Sequence, residues 1–428
     1  MARYDRIAPL TAPTRDSAFP AWPVLRDIEG NDRDGDFARR ARLRFLALRP
    51  VRRVLDHKDT PVGRESYLNQ IEGVREELGY LPTRDVERAR LARFLHHIED
   101  RDSNRVVAAA LEMADACAAA GHMYGAEEYA LTALGLAEHH REARLQCAAY
   151  TCLARIERQR AEWQQSADYA TKALHLAEDS NAISDMVRAQ GEQALAAAMR
   201  GEADHARTMI GNLLAKARSL KDAEAEACGQ AIACGCENLL NNPDAALEHG
   251  WAALRHIDDA RDRAALLEQV AAAFAALGLH KAAERCLAMV AQRGVDPALR
   301  ARARALQAVQ AAALDSQQLF RERRAALLND AAEWSADPRV FAFVHLELGR
   351  AAIAVGDADY AREHLRDAIN TARKNGLHDI ITSAENVLTA LEQNATHLIK
   401  AGLRPAADGA RRIAEQMEAL PDLVVAVL

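Results

Sequence analysis

The alternation of apolar and polar positions in residues 340–375 predicts two amphipathic helices joined by a tight turn. Apolar residues recur at helical spacing on both sides of one glycine: Val344, Leu348, Ala361, Leu365 and Ile369. Gly356 divides the two runs, and glycine is the residue that most readily takes the left-handed conformation that ends a helix. We therefore predict a helical hairpin in which Gly356 ends the first helix and Asp359 caps the second. Small residues at Gly349 and Ala368 predict a close approach of the two helices.

The same pattern of a turn, a small residue and a second small residue seven positions later recurs upstream. The first small residues of these units are Ala126, Ser166, Ala206, Ala246, Ala283 and Ala361. The first five are spaced by 40, 40, 40 and 37 residues, and the last interval of 78 fits two units with a degenerate copy between residues 315 and 328. Repetition at a fixed period is typical of solenoids, so we predict about seven helical hairpins in residues 105–375.

The best-formed unit resembles the tetratricopeptide repeat. The pairs Leu348-Gly349, Gly356-Asp357 and Tyr360-Ala361, with Ala368, stand at the offsets of that motif. The period exceeds the roughly 34 residues of the standard motif, which predicts longer helices or looser links. The resemblance implies an all-α fold, a right-handed α-solenoid of tetratricopeptide-like hairpins with atypical helical caps at both ends.

The resemblance also implies a concave surface, lined by the first helix of each hairpin, that binds extended or helical peptides. Its offsets place these side chains there: Arg155, Arg158, Gln159, Arg188, Glu192, Asn238, Glu268, Gln269, Phe343, Glu347 and Arg350. Guanidinium groups favour bidentate capture of carboxylate or phosphate. Arg155, Arg158, Arg188 and Arg350 therefore predict binding of an acidic peptide or a free C-terminus. The alternative is a solvated inner face without a ligand.

Three segments lie outside the repeats. Residues 1–35 contain four prolines and predict an extended arm. Residues 36–104 predict an N-terminal helical cap, because terminal units of solenoids must cover an exposed apolar end, although a separate functional domain is the alternative. Residues 376–428 predict a C-terminal helical cap followed by an apolar tail.

The most basic stretch lies in the N-terminal cap region. Its arginines are Arg39, Arg40, Arg42, Arg44, Arg49, Arg52 and Arg53. One interpretation is a basic amphipathic face for an acidic partner, nucleic acid or a membrane surface; the other is a solvated face balanced by neighbouring acids. Pro50 is expected to end or kink this helix.

The composition and charge of the chain limit the classes of protein that are expected. Half of the 428 residues are apolar but only 5% are aromatic, which favours close packing of helices through small aliphatic side chains. A formal net charge of −7 argues against nucleic-acid binding. The chain has no run of 18 apolar residues and no secretory signal at its N-terminus, so neither a transmembrane segment nor export is expected. Seven cysteines, an odd number, fit a reducing cytoplasm.

The candidate reactive groups give no catalytic or metal-binding pattern. Cys234 and Cys236 stand two apart on a predicted helix and point roughly 200° apart, so with Cys228 they predict core packing rather than a metal site. The pairs His96-His97 and His139-His140 stand at predicted helix ends, where imidazoles interact with terminal carbonyls. The motifs GxxxxGK[ST], GxGxxG and GxSxG are absent from the sequence, which predicts neither a cofactor nor an enzyme.

These observations predict a cytoplasmic, non-catalytic scaffold that binds a peptide or helix of a partner protein in the groove. Two alternatives stay open. A regulatory sensor would bind a signal peptide or small ligand and become more compact. A structural subunit of a larger assembly, or a homo-oligomer, would use the basic helix and the apolar tail as contact surfaces.

Overall fold

The computed structural model describes eleven stretches of the chain: residues 36–56, 61–81, 86–100, 102–119, 121–219, 221–293, 297–314, 316–335, 337–374, 377–393 and 405–420. The predicted arm in residues 1–35 and the apolar tail from residue 422 lie outside them. These stretches contain twenty helices and no strand, which confirms the all-α class.

The helices are numbered in chain order. They are α1 Asp36–Asp56, α2 Pro61–Leu78, α3 Val86–Glu99, α4 Ser103–Ala119, α5 Met123–His140, α6 Ala143–Gln159, α7 Trp163–Asp179, α8 Ile183–Met199, α9 Ala203–Ser219, α10 Ala223–Leu239, α11 Pro243–Leu254, α12 Ala260–Ala276, α13 His280–Arg293, α14 Pro297–Ala313, α15 Gln317–Asn329, α16 Ala331–Trp334, α17 Pro338–Ala354, α18 Ala358–Lys374, α19 His378–Glu392 and α20 Asp408–Glu418. None of these described helices is long and apolar enough to cross a membrane.

From α4 to α11, successive helices begin 20 residues apart. Two helices with their links therefore span the 40 residues seen between the small residues of the sequence. Those small residues occupy the fourth position of α5, α7, α9 and α11, where Ala126, Ser166, Ala206 and Ala246 are buried. The long period thus comes from helices of about 17 residues joined by short links.

Each link in this region contains one residue with a positive φ angle. These residues are Gly121, Arg141, Ala161, Asn181, Gly201, Lys221 and Asn241. At Ala161, where φ is 60°, the N–H of the next residue, Glu162, donates to the carbonyl of Glu157 at 2.9 Å. This is the Schellman arrangement, which satisfies carbonyls that the helix end would otherwise leave without a partner.

The hairpin of α17 and α18 follows the prediction with one correction. Gly356 has a φ angle of 82° and ends the first helix, as expected. The predicted cap at Asp359 is wrong, because α18 begins at Ala358 and the carboxylate of Asp357 accepts the N–H of Tyr360 at 3.1 Å. Gly349 lies against Leu365, and a Cβ at this position would be 2.8 Å from the Leu365 Cγ.

The described residues divide into two compact units, one up to Gln193 and the other from Ala194. In the first unit, apolar side chains of α1, α2 and α3 share one core with those of α4 to α7. Phe94 packs edge-on against Tyr129 with ring centroids 5.6 Å apart. The Tyr129 hydroxyl donates to the carbonyl of Arg44 at 3.0 Å, which joins α5 to α1.

Two arginines of the basic helix α1 have mostly buried side chains. Arg44 is buried, Arg40 is nearly so, and both guanidinium groups pair with Glu87 of α3. These two arginines therefore belong to an internal ion pair rather than to a solvated face. The helix also runs through Pro50 instead of ending there.

In the second unit, the C-terminal helix α20 packs on α11 and α13 rather than after α19. Its Ala410, Ala414 and Met417 belong to the same apolar core as those two helices. The backbone N–H of Ala407, just before α20, donates to the carboxylate of Asp244 at 3.0 Å. A separate apolar core joins α17, α18 and α19.

Candidate functional site

The predicted site residues lie on the helices that precede the turns of the repeat, here called the first helices: α4, α6, α8, α10, α12, α14 and α17. Within both units, polar side chains of one first helix contact the next first helix along the chain.

In the first unit, the guanidinium groups of α6 pair with acids of its neighbours. Arg155 pairs with Asp115 of α4, and Arg158 donates to Glu192 of α8 at 2.8 Å. Burial by itself would lower the pKa of Arg155, but the charges of Asp115, Cys152 and Glu192 together outweigh burial, and the pKa is raised. These arginines are therefore already held by carboxylates of their own chain.

The other two predicted residues of this unit are exposed. Gln159 is the last residue of α6, and Arg188 lies on α8. Burial raises the pKa of Cys147 to about 11, while the charge of Arg188 acts in the opposite direction.

In the second unit, the chain of contacts begins on α10. The side-chain amide of Asn238 donates to the carbonyl of Gln269 on α12 at 3.0 Å. Glu268, which also lies on α12, pairs with Arg302 of α14 at 3.3 Å. The Arg302 guanidinium lies over the ring of Phe343 on α17, 5.1 Å from its centroid.

A second ion pair lies on α17 itself. Arg350 donates to Glu347 at 2.6 Å. The charge of Arg302 also acts on Glu347, so the two ion pairs are electrostatically connected. We call Glu268, Arg302, Phe343, Glu347 and Arg350 the Arg302–Arg350 site.

The two pairs of this site share one orientation, with the carboxylate inside and the guanidinium outside. The Arg302 side chain is 38% exposed against 12% for Glu268. The Arg350 side chain is 37% exposed against 6% for Glu347. Burial raises the pKa of both carboxyl groups more than the arginines lower it. A molecule approaching from solvent therefore meets two guanidinium groups and an aromatic edge before it meets the acids.

Sequence reasoning missed Arg302. It lies on α14, which belongs to the degenerate copy, so the motif offsets assigned no residue to that helix. The spacing of charged residues could have indicated Arg302. Glu268 and Arg302 are 34 residues apart, and Arg158 and Glu192 are separated by the same interval with the charges reversed.

The remaining candidate reactive groups lie in the core or at helix ends. Cys234 and Cys236 are fully buried, and burial raises the pKa of Cys234 to about 12, which agrees with a packing role. His96-His97 and His139-His140 lie in the last turns of α3 and α5, as predicted. Burial lowers the pKa of His345 and, to about 4, that of His364 in α17 and α18.

Comparison of the chain with protein-family models gives no match, and neither does comparison with curated proteins. The chemistry of the site is therefore the basis for its function. Partly exposed guanidinium groups, each fixed by a buried carboxylate, are suited to donate hydrogen bonds to an acceptor from solvent.

Proposed function

We propose that this chain is a non-catalytic scaffold of tetratricopeptide-like hairpins that binds a peptide or helix of a partner protein along its first helices. The proposal includes the finer fold, a right-handed α-solenoid, for which the 20-residue helix period and the repeated Schellman links give support. The observation that carries the functional part is the Arg302–Arg350 site.

The site supports peptide binding because acids of the same chain hold its two arginines and leave some of their N–H groups without an acceptor. A guanidinium has five N–H donors, and one hydrogen bond joins each arginine of this site to its acid. Holding Arg302 between Glu268 and the Phe343 ring reduces the side-chain entropy that binding would otherwise remove. Phe343 adds a half-buried aromatic surface, and aromatic and arginine side chains are enriched among residues that dominate binding energy.

The internal pairing also changes the predicted ligand. With both pairs ionised, the site carries no net charge, so long-range attraction of an acidic peptide is weak. Directed N–H groups instead favour backbone carbonyls or a single carboxylate at close range. The ligand we propose is therefore a peptide recognised by geometry, with at most one acidic group at the site.

The test is selection of binding peptides from a display library against the full-length protein, followed by affinity measurement by fluorescence anisotropy. The double variant Arg302→Gln with Arg350→Gln should weaken binding at least about tenfold, because each hydrogen bond to a charged group contributes about 1.5–3 kcal/mol. Arg362→Gln is the matched control: Arg362 lies on α18, is also 37% exposed and pairs with an acid three residues away.

Unchanged affinity in the double variant, with helicity intact, would refute the role of the Arg302–Arg350 site. Equal loss in the Arg362 control would show that the peptides respond to overall charge. A set of peptides that depends on Arg155 and Arg158 instead would move the binding site to the first unit.

A further inference from the structure

A cluster of two histidines and one aspartate joins α17 to α18. His364 and Asp367 stand three residues apart on α18 and so share one face of that helix. Opposite them on α17, His345 places its Nδ1 3.0 Å from the Nδ1 of His364 and 3.4 Å from a carboxylate oxygen of Asp367. One nitrogen or oxygen atom from each of the three residues lies within 4.8 Å of the others.

Hydrogen bonds within the protein do not satisfy all three of these side chains at once. Two Nδ1 atoms and a carboxylate oxygen converge, and a neutral imidazole carries its proton on only one ring nitrogen. If His345 carries the proton on Nδ1, His364 must carry its own on Nε2, which is buried and has no hydrogen-bond partner. If His364 carries it on Nδ1, the lone pair of His345 faces the carboxylate of Asp367. Each tautomer therefore leaves an unfavourable contact in a buried place.

A divalent cation would satisfy all three groups at once. Zinc binds histidine nitrogen and carboxylate oxygen at about 2.0–2.2 Å, which places tetrahedral ligands about 3.3–3.5 Å apart. The separations of 3.0 Å between the two Nδ1 atoms and 3.4 Å between His345 Nδ1 and the Asp367 carboxylate are close to that edge length. We propose that His345, His364 and Asp367 form a zinc-binding site that fastens α17 to α18.

The surrounding residues determine how a metal ion reaches this site and how tightly the site binds it. His345 and His364 are buried, whereas the Asp367 side chain is 46% exposed, so a metal ion and a water ligand reach the site from the Asp367 side. Phe341 stacks on His345 and Tyr360 lies edge-on to His364, each with centroids 4.1 Å apart, and they restrict the two rings. The site shares no residue with the Arg302–Arg350 site.

One nearby charge opposes the metal. The guanidinium of Arg324 on α15 lies over the Tyr360 ring, 4.3 Å from its centroid, and its charge acts on His364. Among the residues that the structure describes, the acid whose charge acts on His345 is Asp367. Removing the charge in Arg324→Gln should therefore tighten zinc binding by at least about threefold.

The experiment titrates chelator-treated full-length protein with Co²⁺ and then measures zinc affinity by competition with a chromophoric chelator. We expect one equivalent of Co²⁺ with the strong visible bands of a tetrahedral site, displacement by zinc, and a rise in Tm. Asp367→Asn and His364→Gln should each weaken zinc at least about tenfold. Asp359→Asn, an exposed aspartate on the same helix, is the control that should leave binding unchanged.

Asp367 is partly exposed, and Asp367→Asn keeps the size and most of the packing of the side chain. Misfolding would therefore not explain a loss of zinc binding in this variant. The proposal is overturned if no tetrahedral Co²⁺ spectrum forms. It is also overturned if zinc binds equally well to wild type, Asp367→Asn and His364→Gln. Binding that disappears only when His139 and His140 are replaced would place the metal on that exposed pair and overturn it as well.

Discussion

The Arg302 guanidinium lies 5.1 Å from the centroid of the Phe343 ring, across the boundary between α14 and α17. Glu268 holds the same guanidinium from the other side, so three first helices meet at one arginine. The residues in contact are 34 positions apart in the chain for Glu268 and Arg302 and 41 positions apart for Arg302 and Phe343. We propose that ion pairs of this kind hold the first helices together and offer their outer guanidinium groups to a ligand.

Replacing Ala161 by glycine should stabilise the protein by about 0.5–1 kcal/mol. Ala161 is exposed and has a φ angle of 60°, a conformation that costs a residue with a Cβ about 1–2 kcal/mol, and the larger entropy of unfolded glycine offsets part of the gain. Gly201→Ala is the reciprocal change. Its φ angle is 78° and nothing lies within 4 Å of the added Cβ, so a loss of about 1 kcal/mol would reflect the backbone alone. Urea denaturation followed by circular dichroism measures both, and a stabilising Gly201→Ala would contradict the assignment of the links.

Gly349→Ala should destabilise the hairpin of α17 and α18 by about 1–3 kcal/mol. The added Cβ would lie 2.8 Å from the Cγ of Leu365, which is fully buried and has little room to move. Gly211→Ala is the matched control on α9, where nothing lies within 4 Å of the added Cβ and the higher helix propensity of alanine should give a gain of up to about 1 kcal/mol. Equal shifts of the denaturation midpoint in the two variants would show that α17 and α18 do not pack this closely.

The pair of Arg158 and Glu192 should show a coupling energy of about 1–3 kcal/mol in a double-mutant cycle with glutamine at both positions. Both side chains are about nine-tenths buried, so water screens the pair little. The exposed pair of Arg93 and Glu112, at 58% and 51% exposure, should give less than about 1 kcal/mol. A coupling energy of zero between Arg158 and Glu192 would show that α6 and α8 are not joined there.

Two glutamates of the second unit should give opposite pH dependence. Burial raises the folded pKa of Glu268 above the ordinary value of 4.5, so its contribution to stability is greatest below that value and falls as pH rises through the raised pKa. Against wild type, Glu268→Gln should therefore gain stability as pH increases from 4.5. Denaturant titrations at several pH values between 4 and 8 measure this difference.

Glu237 serves as the comparison. Burial opposes its ionisation, but the hydrogen bonds from Arg207 and Asn242 outweigh burial and lower its folded pKa. Its stabilising contribution is present above 4.5 and is lost as pH falls through the lowered pKa. Glu237→Gln should therefore lose stability, relative to wild type, as pH rises toward 4.5. Slopes of the same sign for the two variants would contradict the described environments.

The regular part of the fold was predictable because apolar residues must repeat where a helix faces a core. The 40-residue spacing of Ala126, Ser166, Ala206 and Ala246 therefore indicated the length of one hairpin, but not how that length divides between helices and links. The conformation of the links was only partly predictable. Gly356 predicted a left-handed residue, but Arg141, Ala161 and Lys221 take the same conformation although their side chains do not favour it.

The site was less predictable for a related reason. Motif offsets identify which side chains share a helix face, but they do not show that Arg155, Arg158 and Arg350 pair with acids of their own chain. Long side chains on different helices meet only when those helices are packed, so Arg302 and the cluster of His345, His364 and Asp367 gave no local pattern. The position of α20 on α11 and α13 depends in the same way on tertiary contacts.

The most direct test of the account is hydrogen–deuterium exchange of the full-length protein with and without a peptide selected by display. We expect slower exchange in α12, α14 and α17, the first helices that carry Glu268, Arg302 and Phe343. The Arg302→Gln with Arg350→Gln variant should lose this protection. Protection confined to α11, α13 and α18, or protection that persists in the double variant, would contradict the claim that the first helices bind the ligand.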